Sequence, residues 1–124
     1  MTMASALYAA LVADPGVNAL IGTRAYPVIL PHGVALPALR YQRVSNSETV
    51  GRAVVRETRY QFDCWGSTYA SAVTLAGAVK ALWENWRGDP LVKYARVANE
   101  LDDYDPETDT VRVIVDVLFI TIGD

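Results

Sequence analysis

Cys64 and His32 are the single cysteine and the single histidine of the chain. Together they are its best candidates for a catalytic nucleophile and its general base. Such a pair needs the base within hydrogen-bond reach of the nucleophile and a third group to orient it. His32 stands in a proline-rich stretch, whereas Cys64 alternates with Tyr60 and Phe62 on the apolar side of a predicted strand. A thiol in that position is usually an inert small hydrophobe, and no orienting residue is marked out.

Carboxylates are concentrated near the end of the chain, at Glu100, Asp102, Asp103, Asp105, Glu107 and Asp109. Their alternation is similar to that of a calcium loop, but such a loop needs a glycine for its sharp turn. This segment has no glycine and carries Pro106 in its middle. We therefore expect a solvated acidic β-hairpin and no metal site.

Other signs of chemistry are weak. Neither GxxxxGK[ST] nor GxGxxG occurs, so the sequence contains no phosphate-binding loop of those kinds. Trp83 and Trp86 are able to stack on bases or sugars, but their spacing places them on the apolar stripe of a helix, which favours core packing. We predict no catalytic, cofactor-binding or metal-binding residue, no cofactor, and a protein that is not an enzyme.

The bulk properties describe one domain over residues 1–124, with 52% hydrophobic residues and a formal net charge of −3. The acidic pI of about 5.0 argues against a basic DNA-binding stripe. A single cysteine excludes an intrachain disulfide and fits folding in a reducing cytoplasm. The first residues do not resemble a signal peptide, and no apolar run approaches a membrane span, so no membrane contact is expected.

The periodicity predicts an α+β fold in the order helix-strand-strand-helix-strand-strand. Two hairpin-like pairs join into a four-stranded antiparallel sheet, and two helices pack on one face. The predicted elements are a helix over Ala4–Ala13, a new short helix that begins at Pro15 with Asp14 as its cap and ends at Gly22, an irregular stretch over 23–38, strands over Leu39–Val44 and Val55–Trp65 separated by a flexible loop over Ser45–Ala53, a long helix over Tyr69–Arg87, a strand over Leu91–Leu101, an acidic loop over Asp102–Asp109 and a last strand over Thr110–Ile122.

The second face of this sheet would be bare, and two interpretations of it stay open. It would carry the polar residues Arg59, Gln61, Asp63, Arg112 and Asp116, which is typical of a solvated face. The apolar end of the last strand lies on the same side, at Leu118, Ile120 and Ile122. Apolar side chains beside charged ones are typical of a subunit interface, so these residues are candidates for self-association.

Four segments, taken in order, resemble the tail-completion proteins of long-tailed phages, also called tail terminators or head–tail joining proteins. The segments are LYAALVADPGVNALIGTRAYP from Leu7, LPALRYQRVS from Leu36, RYQFDCWGSTYASAVTLAGAVKALW from Arg59 and LDDYDPETDTVRVIVDVLFI from Leu101. They extend over nearly the whole chain, and they are structural segments without catalytic signatures.

The resemblance implies a virion protein of the tail, assembled in the host cytoplasm. Proteins of this family form a ring, commonly a hexamer, at the head-proximal end of the tail tube. The ring ends tube polymerisation and offers a surface to the head–tail connector, and DNA passes through its lumen. The implied partners are therefore other copies of the chain, the tail-tube protein and the connector. A negative net charge suits a channel through which DNA slides without specific binding. Related tails occur in gene-transfer agents and phage-derived bacteriocins.

Two alternatives stay open from the sequence. The chain could be a neighbouring head–tail adaptor or a tail-tube subunit of the same particle. It could also be a small α+β ligand-binding domain or enzyme unrelated to phage. Closed rings without tubes would favour the tail-completion interpretation over a tube subunit, because tube subunits stack into long tubes.

Overall fold

The strands form one five-stranded mixed sheet, with three helices on one of its faces. The structure is a computed structural model, and it describes residues 2–48, 55–84, 86–88 and 91–122. The order of strands across the sheet is β1-β2-β3-β5-β4. The elements along the chain are α1 (Met3–Ala13), α2 (Pro15–Ile21), β1 (Ala25–Pro27), β2 (Ala38–Glu48), β3 (Val55–Gly66), α3 (Tyr69–Trp83), β4 (Val92–Asp105) and β5 (Thr110–Ile122).

Local side chains define the ends of α1 and α2. Thr2 and Ser5 form a capping box at the start of α1, in which each hydroxyl accepts a hydrogen bond from the other residue's backbone N–H. Asp14 takes an extended conformation, which ends α1, and its carboxylate accepts from the N–H of Val17, which begins α2. Pro15 fits the first turn of α2, where no N–H partner is needed.

No single helix among the described residues has both the length and the apolar composition of a membrane span. Only α1 and α2 taken together reach that composition, and they are bent by 82° relative to each other.

The long helix α3 covers the centre of the sheet. Thr68 caps its first turn by accepting from the N–H of Ser71. Leu75, Val79 and Trp83 are fully buried, and the Trp83 ring lies 5.3 Å from the ring centroid of Phe62. The predicted stripe of apolar residues is therefore confirmed as the core face of this helix.

The helix ends at Trp83, four residues before the predicted Arg87. Glu84 takes an extended conformation, with φ −63° and ψ 114°. The chain then folds back, and the ring of Trp86 packs edge-on against Trp83 at 4.9 Å. Packing of this second tryptophan on the core stabilises the early end of the helix.

The predicted four-stranded antiparallel sheet with two helices is wrong in detail, because β1 adds a fifth strand and α2, the short helix expected after Pro15, makes three helices. β1 lies in the stretch expected to be irregular, and it pairs in parallel with β2, with Ala25 opposite Leu39. Parallel neighbours need a long return connection, and residues 28–37 provide it. Proline-rich sequence excludes helix there, but it does not exclude a three-residue edge strand.

Two strand ends also differ from the prediction. β2 continues to Glu48 with a register shift between Arg43 and Ser45, so the first part of the predicted loop Ser45–Ala53 is strand, and residues 49–53 lie outside the described residues. β4 continues to Asp105 rather than Leu101, because its acidic residues pair with β5. The acidic segment is confirmed as a hairpin, with its turn confined to residues 106–109.

Candidate assembly interface

The strand register determines which side chains share the face of the sheet that the helices leave uncovered, which we call the open face. Residues directly opposite each other in a sheet point to the same side. The rows across β3, β5 and β4 on the open face are Trp65 with Arg112 and Asp103, Asp63 with Ile114 and Leu101, Gln61 with Asp116 and Asn99, Arg59 with Leu118 and Arg96, and Glu57 with Ile120 and Tyr94. The alternate rows carry the core residues.

Asp63 is the centre of a polar network on the open face. Its side chain has 0% exposure, yet it is not on the core side. Arg40 of β2 donates to its Oδ2 atom through Nε at 2.8 Å and also through Nη2. Gln61 donates to the other carboxylate oxygen, Oδ1, at 2.8 Å. The burial of this carboxylate is therefore matched by charge and by hydrogen bonds.

Arg112 extends the network to the edge strand. Its Nη1 atom lies 2.9 Å from Oδ2 of Asp63, and its Nη2 atom lies 2.7 Å from Oδ2 of Asp103 on β4. The guanidinium carbon also lies 5.2 Å from the ring centroid of Trp65, within range of a cation–π contact. The hydrogen bond from Arg112 lowers the pKa of the Asp103 carboxyl below its ordinary value.

The rest of the open face mixes charged and apolar side chains. Arg59 and Asp116 form a longer ion pair at 3.7 Å, with side chains that are 37% and 25% exposed. Around this pair lies a group of apolar side chains that we call the apolar strip, consisting of Tyr94, Leu101, Ile114, Leu118 and Ile120. Leu101 and Tyr94 are 47% and 42% exposed, and the other three are half-buried.

The residues predicted from the sequence as an interface lie together on this face. The backbone pairing places Arg59, Asp63, Arg112, Asp116, Leu118 and Ile120 there. Ile122 pairs with Val55 at the end of β5, and its side chain lies outside the described residues. The sequence left both a solvated face and an interface open, and the Asp63 side chain itself is not solvated, because Arg40 and Arg112 enclose it.

Sequence reasoning missed several members of the face, among them Tyr94 and the four discussed next. Arg40 alternates with Leu39 and Tyr41, which was a usable signal for its side of the strand. Asp103 was assigned to a loop, and Leu101 and Ile114 were not marked out as open-face residues. Which side chains lie beside these residues depends on the β4–β5 register, and sequence periodicity alone does not determine that register.

The residues considered for chemistry do not come together. Cys64 is fully buried on the core side, and burial raises the pKa of its thiol well above the ordinary value. His32 is exposed and lines a cavity of about 520 Å³ beside Trp65 and the β4–β5 turn. Two hydroxyls also line this cavity, those of Thr108 and Thr110, and they hydrogen-bond to each other at 2.7 Å.

Comparison with known proteins agrees with this picture of a structural surface. The family model described as tail completion protein gp17 matches residues 5–122 of the chain. The chain belongs to this family. As a tail-completion protein it is a structural component of a phage-type tail, as the four resembling segments predicted.

A solved structure gives independent support for the fold of this tail-completion protein. A chain from the virion of a native gene transfer agent particle superposes with a TM-score of 0.78, covering 98% of this chain and 95% of that chain. Sequence identity between the two is 16%, so the similarity is one of fold. A comparison with curated proteins found no match.

Proposed function

We propose that this tail-completion protein closes into a ring of identical subunits at the head-proximal end of a tail tube, ends tube polymerisation and joins the tail to the head connector. The match of the tail-completion family over residues 5–122 carries this proposal. The ring is expected to be a hexamer, as the family resemblance implies. The neighbouring gene-transfer-agent chain comes from an assembled virion, which supports a particle component with several protein partners.

The open face supports self-association in the ring. Soluble monomers rarely leave contiguous apolar surface uncovered unless it binds something. The apolar strip lies beside charged residues that are already paired within the subunit, such as Arg59 with Asp116. Burying this pair leaves neither of its charges unmatched, which favours an interface at this part of the face.

The charge of the chain fits a channel for DNA. The formal net charge is −3, and the exposed acidic side chains of the β4–β5 turn include Glu107 and Asp109. A ring multiplies this charge, and like charges repel phosphate, so DNA would pass without binding. Catalysis has no part in this function, and we predict that the protein is not an enzyme.

The test of the ring is the mass of the purified assembly, with electron micrographs of the same sample. The parent protein should give one closed ring of fixed stoichiometry, expected to be six. Ile120→Asp places a carboxylate in the apolar strip and should give folded monomers. Thr108→Asp, in the exposed β4–β5 turn, is the matched control and should form rings as the parent does.

Three results would count against the proposal. Long tubes from the parent protein would favour a tail-tube subunit. A parent protein that stays monomeric with a folded circular dichroism spectrum would contradict the ring. If Ile120→Asp unfolds, Leu118→Asp repeats the test at a second half-buried position of the strip. Rings formed by a folded Ile120→Asp or Leu118→Asp variant would exclude the open face from the subunit contact.

A further inference from the structure

The outer surface of the helix layer carries almost no charge. The helices α1, α2 and α3 contain one charged residue, Lys80, and it is paired with Glu100 of β4 at 2.9 Å. All the exposed residues of these helices are uncharged, namely Ala4, Ser5, Tyr8, Ala9 and Ala13 in α1, Pro15, Gly16, Asn18 and Ala19 in α2, and Tyr69, Ala70, Val73, Thr74, Gly77 and Ala81 in α3. The whole layer therefore presents a neutral and mostly apolar surface.

This composition is unusual for helices that face water. A helix that covers a core normally carries charged or strongly polar residues on its outer side. Here Val73 is 43% exposed and Tyr69 is 54% exposed, and their neighbours are alanine, glycine and threonine. Small side chains leave a shallow surface that another element is able to approach closely. The surface is thus suited to contact with a protein.

The open face of the sheet has the complementary character. Three of its arginines are matched by carboxylates within the subunit, since Arg40 and Arg112 share Asp63, and Arg59 pairs with Asp116. Arg96 and Glu57 are exposed on the same face. Its projecting groups are the larger apolar side chains of the apolar strip. A neutral partner surface with small residues would receive these side chains without separating the paired charges.

We propose that the open face of one copy packs on the helix layer of the next copy, so that sheet and helix layers alternate around the ring. This inference rests on the proposed ring. A closed ring of identical subunits needs two different patches that fit each other. The helix layer and the open face lie on opposite sides of the subunit, and among the described residues both keep exposed large apolar side chains. The occupant of each surface is therefore a second copy of this chain.

Gly77 offers a clean test, because a side chain added there meets no atom within 4 Å. Gly77→Ala keeps the surface small and neutral and should form rings as the parent does. Gly77→Glu adds a carboxylate to the middle of the helix layer and should reduce the ring fraction at least tenfold in native mass spectrometry. Both variants should melt no lower than the parent as monomers, since alanine and glutamate favour helix over glycine. Rings formed equally by both variants would overturn the inference.

Crosslinking identifies the partner surface directly. Leu118→Cys on the open face is combined with cysteine at Ala70, Thr74 or Ala81, all exposed on α3. A short bismaleimide should convert at least one double variant into a covalent ladder that ends at the ring number, whereas each single variant should stop at monomer. Cys64 is fully buried and should not react.

The outcomes separate this inference from the proposed ring. Rings without a ladder in all three double variants would contradict the layer-to-layer contact and leave the ring intact. Absence of rings in the parent protein would contradict the proposed function itself. A ladder together with loss of rings in Gly77→Glu would support both.

Discussion

Nη1 of Arg112 and Oδ2 of Asp63 lie 2.9 Å apart on the uncovered side of the sheet, and this contact joins the central strand β3 to its neighbour β5. Arg112 reaches Asp103 with its other nitrogens, while Asp63 is held from the opposite side by Arg40. Arg40 also donates to the carbonyl of Val28 at 3.1 Å, so the network ends in the connection between β1 and β2. Such a network holds the side chains of this surface in position before any partner binds.

We predict that Asp63→Ala lowers the free energy of unfolding by about 3 kcal/mol, because removing one partner of a buried ion pair leaves the arginines without their carboxylate. Asp116→Ala is the matched control. Its pair with Arg59 is longer and partly exposed, so the loss should be about 0.5 kcal/mol. Urea denaturation at a concentration where the protein is monomeric measures both. Equal losses would show that the Asp63 network adds no stability beyond that of a surface pair.

Val79→Asp tests the core. Val79 is fully buried between α3 and the sheet, so a carboxylate there would lack both water and a partner. We expect a loss of about 4 kcal/mol in the free energy of unfolding. Thr74→Asp lies on the exposed side of the same helix and should cost less than about 0.5 kcal/mol. A Val79→Asp variant that melts within a degree of the parent would contradict the assigned core.

The Cys64 thiol should be unreactive in the folded protein and should make stability fall at high pH. Burial raises its pKa in the folded state, whereas the unfolded thiol titrates near about 8.5. Above that pH the unfolded state loses the proton first, which favours unfolding. At pH about 9.5 the loss should be about 1.4 kcal/mol relative to pH 7.5.

Denaturation of the parent and Cys64→Ala at both pH values isolates this effect. The variant should lack the thiol contribution, while the tyrosines act on both proteins alike. Identical pH slopes, or rapid labelling of the native thiol at pH 8, would be inconsistent with a buried Cys64.

The acidic hairpin should not bind calcium. Its carboxylates are divided between the two sides of β4, where Asp102 accepts from the hydroxyl of Tyr69 and Asp103 pairs with Arg112. Among the described residues, no group of three or more potential ligand side chains is placed to hold a metal ion. Calorimetry should therefore detect no site tighter than about millimolar, the weakest class of calcium module. A micromolar site would refute the prediction.

The sequence predicted those parts of the fold that local pattern determines. Alternation in β3 and β5 and the three-to-four spacing in α3 identified the core residues Phe62, Val115 and Val79 correctly, because each periodicity belongs to one kind of element. The parallel pairing of β1 was not predictable, since a three-residue strand carries no period and its position depends on the path of residues 28–37.

The candidate interface was predictable to a similar degree. Alternation placed Asp63 and Arg112 on the uncovered side, but their contact depends on how β3 pairs with β5. Burial of Asp63 depends further on Arg40, which reaches it from a third strand. The sequence also shows that the outer sides of the helices are nearly uncharged. This pattern indicates a contact surface only when the helices are known to lie on one face of the sheet.

The most direct test of the central claim is electron microscopy of lysates from a phage or gene-transfer agent that carries this gene in inactivated form. If the protein completes the tail, the lysates should contain filled heads and separate tails with irregular or overgrown ends, and joined particles should return when the parent gene is supplied. Complementation with the Thr108→Asp control should also restore joining, whereas the Ile120→Asp variant should not. Normal joined particles in the absence of the protein would contradict the assignment, whatever oligomer the purified chain forms.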